Sequence, residues 1–431
     1  MRSLLLAGVL LFSTASNAGY TAREWGTFTS LVGSNGLSQN GMYHEDEKLP
    51  DFVHGYGVVQ SDLSRPFPGH PVVDPDSPRH PPNCPPFSKA CFDPITLQNN
   101  EITQKMETPV IYFYADEATK VKINVKFPSG VITETYPAPV ATFPTRRDVP
   151  VLANGDTTFE VDVLNQKAGA IPFVSDENIY SHARKVPEAN LVRSGMEAEK
   201  FVFYRGLGTF QPKLKITSAG GGLRVTANPR TNPLGAFLVD VDSSGSTRAV
   251  ALKDFLSFER NSLEVYQYDI SALAIAQLQN HTGKEGTLPS VLTGDASKSA
   301  LISTLVEAGL SSAEASAMIN TWENGYLKTP GLRLLYVLPK HEVEEILPIS
   351  FEPRPDSLDR VFVGRIEVML DTKEQEILQS VLAQRDAFKV ESLGRMAEPM
   401  IRRVSQIYAG TDKEVRKLFN RLIQDALEMG N

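Results

Sequence analysis

The chain has two cysteines and two tryptophans in 431 residues, and no surplus of basic side chains. Each shortage excludes something. Lys and Arg total 43 against 51 Asp and Glu, a formal charge of −8. That balance argues against a nucleic-acid partner, which selects a basic surface. Beyond the N-terminus no stretch approaches the ~20 apolar residues that a membrane helix needs, so no transmembrane segment is expected after that point. The well-marked catalytic motifs are also missing: no GxSxG elbow, no HExxH, no phosphate-binding Walker loop and no CxxC. His341-Glu342-Val343-Glu344-Glu345 lacks a second histidine and reads as a solvated charged segment. Asp240-Val241-Asp242-Ser243-Ser244-Gly245 begins like a calcium loop, but Ala251 stands where a bidentate glutamate belongs, and an ordinary hairpin explains it as well.

What is present is an ordinary globular composition, 41% hydrophobic, in a chain long enough for two or three domains. Met1-Arg2, an apolar core over 4–12 and Ser16-Asn17-Ala18 read as a signal peptide over 1–18, so the mature chain is expected to begin at Gly19 in the periplasm or outside the cell. Cys84 and Cys91, separated by six residues, are most simply a disulfide in that oxidising compartment. Two free thiols or half a metal site are the alternatives, although zinc sites use closer spacing and more sulfur ligands.

The pattern that organises the chain lies at 105–137. Residues 110–114 form a β-branched and aromatic run. Val121, Ile123, Val125 and Phe127 then alternate with Lys120, Lys122, Asn124 and Lys126, which puts the apolar side chains on one face of a strand. Pro128-Ser129-Gly130 turns the chain into a third strand over 131–136. Strand signals continue to about 258, with hairpin loops at 218–222 and 243–245. After 262 the period changes from 2 to 3.6, with Ser311-Ser312-Ala313-Glu314 as a capping box, further helix starts at Thr372 and Thr411, and two strands over 332–338 and 361–370. Between Gly19 and Gln104 there is little periodicity beyond one strand over 20–32, and 65–86 is dense in proline, which favours extended backbone. The expected fold is α+β: a central antiparallel β-sandwich (105–260), an irregular proline-rich N-terminal strap (19–104), and a helix-rich C-terminal third with two strands (261–431).

Several blocks carry a family signature: Arg23-Glu24-Trp25-Gly26-Thr27-Phe28-Thr29, 49–53, Lys105-Met106-Glu107-Thr108-Pro109 running on to Tyr114, 203–208, 329–339 and 360–367. Together they resemble a functionally uncharacterised family of exported Gram-negative bacterial proteins, over nearly the whole mature chain. The resemblance implies export and common ancestry and transfers no catalytic residue.

Two sets of residues remain as candidate sites. His44, His54, His70 and His80 are interleaved with carboxylates, a workable donor set for zinc, copper or iron. Their spacing matches no metal site, so no metal or cofactor is expected. The second set lies inside apolar blocks: Arg23, Glu24, Glu107, Tyr204, Arg205, Arg333 and Arg365. Charges there must be paired, exposed at an edge, or functional. Glu24, Glu107, Arg205 and Arg333 are expected to converge in one polar cleft where the strap meets the sandwich. The leading functional reading is a non-catalytic binding or structural protein of the cell envelope, its ligand or envelope partner unidentified. The alternative is an exported hydrolase using Glu24 and Glu107 as acid–base carboxylates.

Overall fold

Alternating and continuous apolar strands need partners on both sides and cover on both faces, and the chain supplies these from distant segments. The computed structural model describes residues 19–42, 44–45, 48–55, 102–143, 153–227, 235–252, 266–280, 290–408 and 410–429. The proposed signal peptide, the proline run, Cys84, Cys91, His70 and His80 lie outside the described residues.

The architecture is α+β. A ten-stranded sheet runs in the order Leu292–Thr293, Thr247–Ala251, Ala236–Val241, Gly331–Val337, Ser357–Val368, Tyr20–Val32, Gln104–Ala115, Val202–Gly208, Gly130–Tyr136, His54–Gly55. All of its pairings are antiparallel except that of Tyr20–Val32 with Ser357–Val368. One face packs on two smaller sheets, giving the sandwich-like part. A six-stranded sheet contains Thr119–Phe127 and Gly155–Val163, and a three-stranded one contains Lys215–Ala219, Gly222–Ala227 and Tyr266–Ile270. Val121, Ile123, Val125 and Phe127 point inward onto Ala22, Phe28, Ile111 and Phe113, as their alternation requires.

Helices cover the other face in two groups. Asp295–Glu307 and Ser312–Glu323 bury Leu301, Met318 and Trp322 against Trp25, Tyr112 and Phe203. Asp371–Gln384, Ala397–Ile407 and Lys413–Glu428 bury Ile377, Ile401 and Phe419 near Leu31, Val131 and Leu207.

Two expectations are corrected here. Residues 20–32 are no strap: this strand lies between two others in the interior of the large sheet. Its apolar residues are buried on both faces, which an interior position demands and an edge does not. The two strands of the C-terminal third, Gly331–Val337 and Ser357–Val368, join the interior of the same sheet, so a boundary near 260 does not divide it.

Candidate functional site

Register decides where the predicted residues meet. Glu24 lies opposite Ile111 and Glu107 lies opposite Thr27 on the same strand pair. Positions 24 and 27 are three apart, so their side chains leave the Tyr20–Val32 strand on opposite faces. The contacts agree. On the sandwich side, Glu24 accepts a hydrogen bond from Arg360 Nε at 2.5 Å and another from the Tyr204 hydroxyl. Burial and the Glu24 charge push the Tyr204 phenol well above its usual value. On the helix side, Glu107 accepts from Thr29 Oγ1 and from Arg395 Nη1, the latter at 2.7 Å. The expected cleft therefore does not form as drawn. Glu107, Arg205 and Arg333 share one face, and Glu24 belongs to the other.

The shared face carries a buried belt of charge across six adjacent strands. Arg333 Nε lies 3.0 Å from Glu367, which Arg365 Nε also contacts at 2.7 Å. Thr27 and Thr29 cross the next strand, where the Thr27 hydroxyl bonds Tyr326 at 2.6 Å. Lys105 Nζ sits 2.7 Å from Glu45 and 3.8 Å from Glu107. Arg205 Nη1 reaches the same Glu45 at 2.8 Å, and Glu134 lies directly across from Arg205 on the next strand. The belt falls in the seam between the two helical groups, with Arg395 entering it from the short helical segment Val390–Met396.

Backbone irregularities gather at the same level. Register shifts occur between Trp25 and Thr27, between Phe203 and Gly206, and between Arg205 and Gly206. Thr108, beside Glu107, is buried with φ of 51°, a rare conformation for a β-branched residue. Bulges re-aim side chains, and here they bring charges of successive strands into one line. Above Arg333 the chain forms a π-helix, Asn324–Lys328. Its widened turn frees carbonyls, and Arg333 donates to those of Gly325, Tyr326 and Thr329 at 2.7, 2.9 and 2.6 Å.

The electrostatics follow from burial and pairing. Burial alone would raise the Glu107 pKa, but Arg395, Lys105 and Arg365 outweigh it and hold the carboxyl well below the usual range. Glu45 and Glu367 are lowered in the same way, against desolvation, by Arg205 and Lys105 and by Arg333 and Arg365 respectively. Glu134 differs. Burial dominates over Arg205, the charge of Glu45 adds to it, and the carboxyl is pushed up to about 7.

Chemically, Glu24 and Glu107 are unsuited to joint acid–base work. A glycosidase pair faces a single cavity with its carboxyls roughly 5–10 Å apart, and these two are separated by the sheet. Glu107, held ionised by three cations, is a poor proton donor at neutral pH. Among the described residues there is no grouping of three or more His, Cys, Asp or Glu placed to hold a metal. His44 faces Glu398 at 3.5 Å, while His54 contacts Glu197 at 2.7 Å near the sheet edge. Asp242 closes its hairpin by accepting from the backbone N–H of Ser244 and of Ser246. In the short helix Lys340–Ile346, Glu342 is buried and not solvated as expected, because its face turns onto the main sheet. A groove of about 420 Å³ on the six-stranded sheet is lined by Lys120, Lys122, Glu160, Asp162 and Arg193, and none of the sequence-predicted site residues reaches it.

No protein-family model matches the chain, and no curated protein matches it.

The belt runs through the blocks singled out from sequence, which contribute Thr27, Thr29, Lys105, Glu107, Arg205, Arg333, Arg365 and Glu367. Sequence reasoning missed Lys105, Glu134, Glu45, Glu367 and Arg395 as members. Lys105 and Glu134 had a readable signal, being charged positions inside otherwise buried strands. Glu45 and Arg395 come from irregular segments where no period marks a face.

Proposed function

We propose that this is an exported, non-catalytic binding or structural protein of the cell envelope, related to the exported Gram-negative family whose blocks it resembles. One observation carries the non-catalytic reading: the carboxylates that acid–base chemistry would use are consumed in buried ion pairs on two faces of one sheet. Removing one partner of such a pair leaves a buried charge uncompensated, so these residues act on stability. Export rests on the N-terminal pattern of Met1-Arg2, an apolar core and Ser16-Asn17-Ala18. Recognition then belongs to the surface, and the charged groove on the six-stranded sheet is one place for a ligand or envelope component.

Glu107→Gln tests the reading. Expected is a loss of about 3–5 kcal/mol in unfolding free energy, with hydrolysis of chromogenic glycosides and esters at the blank rate for both wild type and variant. Wild-type turnover that Glu107→Gln abolishes at an unchanged melting temperature would overturn it.

A further inference from the structure

At the end of the belt nearest the sheet edge, two carboxylates lie around one guanidinium. Glu45, in the segment that follows the Tyr20–Val32 strand, contacts Arg205 Nη1 at 2.8 Å and Lys105 Nζ at 2.7 Å. Lys105 also donates to the His44 carbonyl at 2.5 Å, so this segment is pinned to the sheet at two successive residues. Glu134 lies directly across from Arg205 and accepts a hydrogen bond from its own neighbour, the Thr133 hydroxyl. Arg205 Nε is buried without an acceptor among the described residues.

We propose that Glu134 is a proton-operated switch that sets how firmly the Glu45 segment is latched to the sheet. When Glu134 is protonated, Arg205 gives its charge to Glu45 and the latch is closed. When Glu134 loses its proton, a second anion stands beside Arg205. It draws the free Nε and repels Glu45, and the two carboxylates titrate as a coupled pair. Burial and the Glu45 charge place this step at about 7.

Among the described residues, the groups facing Glu134 are few. Arg205 comes from Val202–Gly208, Lys105 from Gln104–Ala115, Glu45 from the segment itself, and Thr133 from its own strand. On the remaining side, Gly55 pairs with Glu134 and brings no charge, and the neighbouring His54 is engaged by Glu197 at 2.7 Å.

Amide hydrogen exchange of residues 48–55, expressed as protection factors corrected for intrinsic rates, tests the switch on the full chain. Protection in wild type should fall about tenfold as pH rises from 6 to 8, the effect of one pKa unit of coupling, while amides of Thr119–Phe127 stay constant. Glu134→Gln should keep high protection across the range. Glu45→Gln should show low protection at every pH, without a step. Flat wild-type protection, or a step that persists in Glu134→Gln, would overturn the proposal.

Discussion

A charge buried in a protein must be answered at close range, because removing an ion from water costs several kcal/mol even after relaxation. Glu107 shows how this is done, with Arg395 at 2.7 Å, Lys105 at 3.8 Å and the Thr29 hydroxyl around one carboxylate. Its consequence is a pH dependence of definite sign. The Glu107 pKa is lower folded than unfolded, so its stabilisation is complete above the ordinary carboxyl range and is lost as pH falls below it. Acid titration of unfolding free energy should therefore show a shallower decline in Glu107→Gln than in wild type between about pH 4.5 and 2. Equal slopes would mean that Glu107 is no better held in the folded state. That Arg and Glu inside apolar blocks pair with one another was legible from sequence. Which Arg meets which Glu was not, because Glu24 and Arg360 are brought together only by a parallel strand pairing.

Among the elements, the π-helix Asn324–Lys328 depends on a residue outside itself. Arg333 answers two of its carbonyls, that of Thr329 just beyond its end, and Glu367 from one planar head group. A lysine keeps the charge but not the fork geometry. Arg333→Lys should lower unfolding free energy by about 2–4 kcal/mol, since at least one buried acceptor is left unmet. Chemical denaturation checks this, and a change below about 0.5 kcal/mol would place the carbonyls in contact with water instead. Helix starts were legible in part. Ser311 and Glu314 form the expected capping box, and Glu314 further engages Arg23 at 3.2 Å. The helix expected to be capped by Thr372 instead begins at Asp371, and Glu374 bonds Ser34 and Arg403. Tertiary ion pairing displaced a local cap.

At the scale of the molecule, the chain closes on itself. A strand beginning at Tyr20 and one ending at Val368 lie side by side in the middle of the largest sheet. The α+β class and the inward face of Thr119–Phe127 were legible, since alternation and period are local properties. The interior place of Tyr20–Val32 was not, because its partner lies more than 300 residues away and parallel pairing leaves no turn to read. The same long closure places Glu24 and Glu107 on opposite faces and leaves the belt as the seam on which both helical groups meet the sheet.

The belt is a structural ion-pair network that joins the C-terminal helical segment to the sheet. A double-mutant cycle on unfolding free energy with Glu107→Gln and Arg395→Gln tests it most directly. A coupling of about 2–3 kcal/mol is expected between the two positions, the double variant being more stable than the sum of the single losses implies. Losses that add to within about 0.5 kcal/mol would contradict it.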